Sequence, residues 1–426
     1  MAKVVIIGGG WAGCAAAITA RKAGAEVVIL ERTDLLLGLG NVGGIMRNNG
    51  RFTAAEELIA LGAGELIGIT DKAARHRNVN FPRHQHASLY DVVRVEPMVR
   101  QKLIELGIEL HFETRAIDVE MDAEEIKGIV LHDESLVKGD VFIEATGSTG
   151  PMGNCLRYGN GCTMCILRCP AFGPRVSISA RAGVEDLLGQ RGDSVYGAFS
   201  GSCKLVKSSL SPEIVEKLEQ EGVVIVPLPP EAIKIDNLNY KVCQQYAVKE
   251  FAENLVLLDT GFVKLMVSSY PLAKLREIAG FEFARFADPY AAGSGNSIRY
   301  LSMAPRNNTL KVIGLRNLLC AGEKAGLFVG HTEAMATGSL AGHNSVRLFL
   351  GMPLLELPRK LAIGDLIAYT NEQTKTTQGL RNRYTFSGGK YFEQMITRNL
   401  YSIDPVQIKM RVSRLNLFNI FDEKLL

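Results

Sequence analysis

KVVIIGGGWAGCAAAITARKAGAEVVILE, residues 3–31, reads as a strand, a glycine turn, a helix and a second strand. Lys3–Ile7 is a short β-branched run, Cys14–Ala23 is alanine-rich and favours a helix, and AEVVILE returns to β-branched apolar residues. Between them Gly8, Gly10 and Gly13 match G-x-G-x-x-G. In that pattern one glycine makes the tight turn, one lets backbone approach a pyrophosphate, and one lets the helix pack on the strand. The pyrophosphate would sit on the helix N-terminus, where amides and dipole favour an anion. Glu31 closes the second strand 23 residues after Gly8, placed to accept hydrogen bonds from ribose hydroxyls, and Arg32 follows it. The stretch therefore predicts a dinucleotide-binding β-α-β opening.

Further along, DLLLGLGNVGGIMRNNG (34–50) carries Gly38, Gly40, Gly43 and Gly44, which let a loop run tightly along a bulky cofactor. DVVRVEPMVRQKLIELG predicts a helix interrupted or capped around Pro97, and ELHFETRAIDVEM, IKGIVLHD and VKGDVFIEATG predict strands. The last is a return strand whose Ala145-Thr146-Gly147 turn comes back beside the first glycine loop, an arrangement that suits FAD better than NAD. ARHRNVNFPRHQHAS, with Arg75, His76, Arg77, Arg83, His84 and His86, reads as a basic loop, ordinarily a solvated one. Near the other end a strand runs into Ala321-Gly322-Glu323, and a long small-residue helix begins at about Thr332, its N-terminus turned toward the flavin's pyrimidine end. His331 opens that helix, where it can tune a flavin or move protons, or simply satisfy backbone groups.

These readings predict an α/β fold: a Rossmann-like FAD-binding domain in two parts with an inserted mixed α/β domain and a short helical C-terminal tail. The expected division is 1–150 and 311–350 for the two parts of the FAD domain, 151–310 for the insertion, and 351–426 for the tail. The tail has eleven Lys and Arg against seven Asp and Glu, interleaved with Tyr384, Phe386, Tyr391 and Phe392. Such a segment can stack on nucleic acid, but a tail docked on the body or on a second subunit is the preferred reading. With 48 basic and 45 acidic side chains in 426 residues, net charge does not mark a polyanion binder. The N-terminal run lacks a cleavage pattern and no stretch reaches about 18 apolar residues, so a cytoplasmic protein without a membrane partner is expected.

Eight cysteines in such a chain are expected to stay reduced. Cys155, Cys162, Cys165 and Cys169 are spaced C-x6-C-x2-C-x3-C and followed by Pro170. The closing part resembles the end of a bacterial ferredoxin run, and four thiolates meet the need of a [4Fe–4S] cluster. Zinc, a Cys162/Cys165 dithiol and a ligand-free loop are the other readings. Cys14 and Cys320 suit the core, and Cys203 and Cys243 have no assignment.

GGGWAG, GNVGGIMRNNG, EATG and AGEKAGLFVGHTEAMATGSLAGHNSVR resemble the flavoprotein superfamily that holds the GidA tRNA-uridine-modifying proteins and the folate/FAD-dependent tRNA uracil-5 methyltransferases (TrmFO). PRKLAIGDLIAYT (358–370) is similar to the short helix that follows the last block in the methyltransferases. The resemblance implies FAD held by the first and last blocks, and an FAD-binding fold of the glutathione-reductase type. The expected cofactor contacts are Gly8, Gly10, Gly13, Glu31, Arg32, Gly43, Gly44, Ala145, Gly147, Gly322, Glu323 and Thr332, with Cys162, Cys165 and His331 as catalytic candidates. The leading functional expectation is an oxidoreductase whose FAD exchanges electrons with the cysteine centre, served by NAD(P)H or a ferredoxin-like donor and a small-molecule or protein redox partner. The rival is a folate/FAD-dependent RNA uridine C5 methyltransferase, in which a cysteine attacks the base. A redox-sensing flavoprotein is a third.

Overall fold

The computed structural model describes residues 1–147, 172–191, 198–200, 202–241, 243–288, 297–299 and 301–426. Its central sheet has five parallel strands in the order Leu318–Cys320, Val141–Glu144, Lys3–Ile7, Glu26–Leu30 and Glu109–His111. Ile6 lies between Ile29 and Ile143, and Ile143 pairs with Leu319. Such strands are covered on both faces, so they read as continuous apolar runs. The fold is therefore the expected Rossmann-like α/β type, with the return strand directly beside the first.

Two helices pack hard on each other over this sheet, Trp11–Lys22 and His331–Phe349. Their contact is made of small residues: a Cβ on Gly338 would overlap the Ala12 carbonyl, and one on Gly342 the Ala16 carbonyl. Thr19 Oγ1 donates to the Ser339 carbonyl at 3.0 Å across the crossing. Gly342→Val is expected to cost about 1–3 kcal/mol, because the backbones must separate to admit the side chain. Gly68 is the contrasting site, lying in the helix Glu65–Lys72 with open space where a Cβ would stand. Gly68→Ala is expected to stabilise by roughly 0.5–1 kcal/mol through the unfolded chain. Urea midpoints of the two variants should move in opposite directions.

A second, antiparallel sheet runs Cys203–Leu205, Phe262–Leu265, Asn254–Thr260 and Val223–Pro227. The helix Pro212–Glu221 covers it, started by Ser211 as N-cap with proline at its first position and stopped by Gly222 in the left-handed region. The segment expected as a basic loop is instead a hairpin, Ala74–Phe81 with His84–Tyr90. Arg75 and His76 on it meet a buried partner, while Arg77 and Arg83 stay exposed. Arg75 Nε and His76 Nε2 lie 3.0 Å from Asp259 Oδ2, and Lys207 Nζ lies 3.0 Å from Asp259 Oδ1. Burial pushes the Asp259 carboxyl up, but hydrogen bonds from His76, Lys207 and Arg75 outweigh it and hold it below its usual range. Behind these ions Val79, Phe81, Ala87 and Leu89 share a core with Val256 and Leu258. This joint fixes the second sheet on the hairpin.

The C-terminal helices Ala362–Gln373, Gly389–Thr397 and Pro405–Arg414 dock on the body. Tyr384, Phe386 and Tyr391 are fully buried, so their rings are core and not a nucleic-acid stacking face. Among the described residues no helix is long and apolar enough to cross a membrane.

Candidate functional site

A cleft of about 310 Å³, in the range of small-molecule sites, opens where the central strands end. Its first wall is the glycine turn. Gly8 has φ +106°, and a Cβ there would stand 2.5 Å from the Ala145 carbonyl oxygen. A Cβ on Gly13 would overlap the Gly8 carbonyl. These two glycines are thus required by the protein's own backbone. Gly10 differs: it lines the cleft with nothing within 4 Å of an added Cβ, and it caps the helix Trp11–Lys22 without any side-chain hydrogen bond. The first-turn amides of that helix have no intrahelical acceptors. Open space in front of such amides fits the diphosphate of a dinucleotide.

Glu31 also lines the cleft, but the fold uses it to brace the turn. Its Oε2 accepts from the Gly9 amide at 2.7 Å, and its Oε1 from the Thr33 amide and hydroxyl at 2.8 and 2.9 Å. A carboxylate offers about four lone-pair sites, so little capacity is left for a ribose hydroxyl. Arg32 lines the same end and donates to the Gly173 carbonyl. Ala145, Gly147, Gly322 and Glu323 complete this half.

At the other end Gly43 faces His331 so closely that a Cβ on Gly43 would overlap the imidazole. His331 sits between Trp11 and Tyr90, with ring centroids 5.9 and 6.1 Å away, and Tyr90 Oη donates to the Gly40 carbonyl at 2.8 Å. Beneath them a buried ion pair joins three distant segments. Arg51 Nε lies 3.2 Å from both Glu333 carboxylate oxygens, and Arg51 Nη2 donates to the Val329 carbonyl at 2.9 Å. Glu333 Oε1 also accepts from Thr385 Oγ1 at 2.7 Å and the Phe386 amide at 2.8 Å. The second sheet roofs this end with Lys264, whose ammonium donates to the Val42 carbonyl at 2.6 Å and Ser202 Oγ at 2.7 Å. A short turn, Gln244–Tyr246, adds Gln245 and Tyr246, and half-buried Cys243 precedes it.

Of the cofactor contacts expected from sequence, Gly8, Gly10, Glu31, Arg32, Gly43, Ala145, Gly147, Gly322 and Glu323 line one cleft. Gly13 serves helix packing, Gly44 (φ +77°) packs on Thr260, and Thr332 is fully buried, none of them lining the cleft. His331 lies in it; Cys155, Cys162, Cys165 and Cys169 lie outside the described residues. Arg51, Cys243, Gln245, Tyr246 and Lys264 were not singled out from sequence. Only Arg51, directly after the glycine-rich block, had a nearby signal. The other three described cysteines are buried. Burial pushes the Cys203 and Cys320 thiols up to about 12 and Cys14 higher still, which keeps them protonated and inert.

The sequence model of the family described as Glucose inhibited division protein A matches residues 3–255 and 249–353. Two curated relatives, from Dictyoglomus thermophilum and Dictyoglomus turgidum, are both described as methylenetetrahydrofolate–tRNA-(uracil-5-)-methyltransferase TrmFO. The first is 28% identical over 228 residues, 52% of this chain and 48% of its own. The second is 30% identical over 192 residues, 44% of this chain and 42% of its own. The chain thus spans about half the length of the curated relatives it matches. Two crystal forms of Aquifex aeolicus GidA superpose with TM-scores of 0.69 and 0.67 at 17% and 16% identity, covering 98% of this chain and 74% and 76% of theirs. They share its fold. These findings overturn the leading functional expectation: the relatives are named for methylating a tRNA base, not for passing electrons to a cysteine-borne centre. A ferredoxin-like donor loses its basis with it. Among the described residues no group of three or more His, Cys, Asp or Glu is placed to hold a metal.

Proposed function

The chain belongs to the Glucose inhibited division protein A family of FAD-dependent proteins, and from that membership we propose that it modifies uracil in RNA, adding a folate-derived carbon at C5. The observation that carries this reading is Cys243, a half-buried thiol lining the same cleft as the Gly8–Gly10 turn. Uracil C5 is a poor nucleophile until a thiolate adds at C6, which places carbanion character on C5 so that it can take the one-carbon unit. In this reading Cys243 supplies the thiolate, and His331 holds or moves a proton beside it. Gly10 and the amides of the first helix would hold the FAD diphosphate, and Arg32 would border its adenosine end. When bound, the flavin supplies the electron pair that brings the transferred carbon to the methyl level, with NAD(P)H as the reductant of the pool.

The test is to incubate the FAD-loaded protein with unmodified tRNA transcripts, methylenetetrahydrofolate labelled in its one-carbon unit, and NADPH. Labelled 5-methyluridine in the digested RNA is expected. Its absence from every RNA offered, with FAD bound and reducible, overturns the reading. The cofactor assignment has its own check. Gly10→Val is expected to weaken FAD binding about 100-fold by filling the space before the helix, while thermal unfolding of the apoprotein stays close to wild type.

A further inference from the structure

Gln245 carries a buried polar atom with no partner among the described residues. The side chain lines the cleft between Cys243 and Tyr246 and is 5% exposed, and its Oε1 accepts no hydrogen bond. A buried acceptor left unmade costs about 1–3 kcal/mol, so one held in a binding cleft points to a donor that arrives with the ligand. The residue is also held still. His84 Nε2 lies 3.2 Å from the Gln245 backbone carbonyl, and His84 Nδ1 lies 2.9 Å from Asn48 Nδ2. Asn48 Nδ2 can only donate, so Nδ1 accepts and Nε2 carries the proton that goes to Gln245. Burial pushes His84 down to about 3, which keeps that ring neutral and its tautomer fixed. On the far side, a Cβ on Gly388 would stand 2.6 Å from Gln245 Cβ, so only glycine lets the two chains lie this close.

A carboxamide presents one acceptor and one donor side by side. Its complement is an imide edge, N–H flanked by C=O, which the pyrimidine ring of the flavin and a uracil base both possess. We propose that Gln245 reads the imide edge of the ring that enters this end of the cleft, its Oε1 accepting from the ring N3–H. The assignment rests on the uracil-modifying reading where the ring is uracil, but not where it is the flavin. Cytosine, whose N3 carries no hydrogen, cannot make this particular contact.

Methylation of N3 removes the donor and little else. The binding of FAD and 3-methyl-FAD to the apoprotein is compared, and the binding of a uridine pentanucleotide and its 3-methyluridine counterpart to the FAD-loaded protein, each for wild type, Gln245→Leu and Gln245→Glu. In wild type one of the two pairs is expected to show about a tenfold or greater penalty for the methyl group. Gln245→Leu is expected to erase that penalty. Gln245→Glu, which keeps the acceptor, is expected to retain it, and near-ultraviolet circular dichroism checks that both variants fold. A penalty in the nucleotide pair assigns uracil as the ring, and one in the FAD pair assigns the flavin. If the pentanucleotide does not bind while the FAD pair behaves as expected, the imide assignment stands on the flavin, and the RNA reading is decided by the label-transfer assay with tRNA. No penalty in either wild-type pair, or an undiminished penalty in Gln245→Leu, overturns it.

Discussion

Cys243→Ser is expected to lower transfer of the folate-derived carbon to RNA by about 10³- to 10⁶-fold, the scale seen when a covalent nucleophile is removed. Serine conserves the volume, and the side chain is half-buried before a short turn, so flavin content and unfolding midpoint are expected to stay at wild-type values. A serine hydroxyl is a far weaker nucleophile toward a ring carbon than a cysteine sulfur. The internal control is Cys203→Ala. That thiol is buried in the core of the second sheet, with burial pushing it up to about 12, and its loss is expected to cost stability rather than chemistry. Label incorporation and urea midpoints measured on both variants decide the matter. Activity of the Cys243 variant within tenfold of wild type would remove the thiol from the mechanism.

Arg51→Met is expected to destabilise the protein by about 3–5 kcal/mol, because it strands the Glu333 carboxylate in the interior. Glu333 is fully buried and Arg51 nearly so. Burial works against the Arg51 charge, but Glu333 more than compensates, and the guanidinium stays protonated. Thr385 Oγ1 and the Phe386 amide would remain to serve Glu333, but neither brings a charge. Replacing both partners, Arg51→Met with Glu333→Leu, is expected to recover much of the loss, since the penalty arises from an uncompensated charge and not from the missing bond itself. Urea unfolding of the four proteins in this cycle gives the coupling. A single-variant loss below about 1 kcal/mol would show that water reaches the pair. The same ion pair ties the helix at His331 to the segment behind the cleft, so Arg51→Met should also loosen FAD.

The parts of this protein legible in its sequence are those made by neighbours in the chain. The strand, glycine turn and helix of residues 3–31 declare themselves because period, propensity and the three glycines act over a few residues. The return strand ending at Ala145 and the helix at His331 were legible for the same reason. The 74–90 hairpin was not. Its pairing with itself is broken by register shifts, and Arg75 and His76 look solvated until Asp259 arrives from a strand more than 160 residues away. Glu31 shows a finer limit: its position at the end of the second strand could be read, but its use as a brace for Gly9 and Thr33 depends on how the turn closes over it.

By itself, then, the sequence determined the dinucleotide-type fold and the glycine turn that opens it, since those follow from steric and hydrogen-bonding rules within short segments, while Gly13 and Gly44 proved to serve packing rather than the cleft. The tertiary structure alone decided which side chains share the reacting end of the cleft. Cys243, Gln245, Lys264, Arg51 and His331 come from segments separated by up to 280 residues; His331 could be read from the sequence, but no local pattern marks Cys243, Gln245 or Lys264. What brings them together is the packing of the second sheet against the 74–90 hairpin, a shared apolar core with a buried aspartate held by Arg75, His76 and Lys207, and that is a property of the folded chain as a whole.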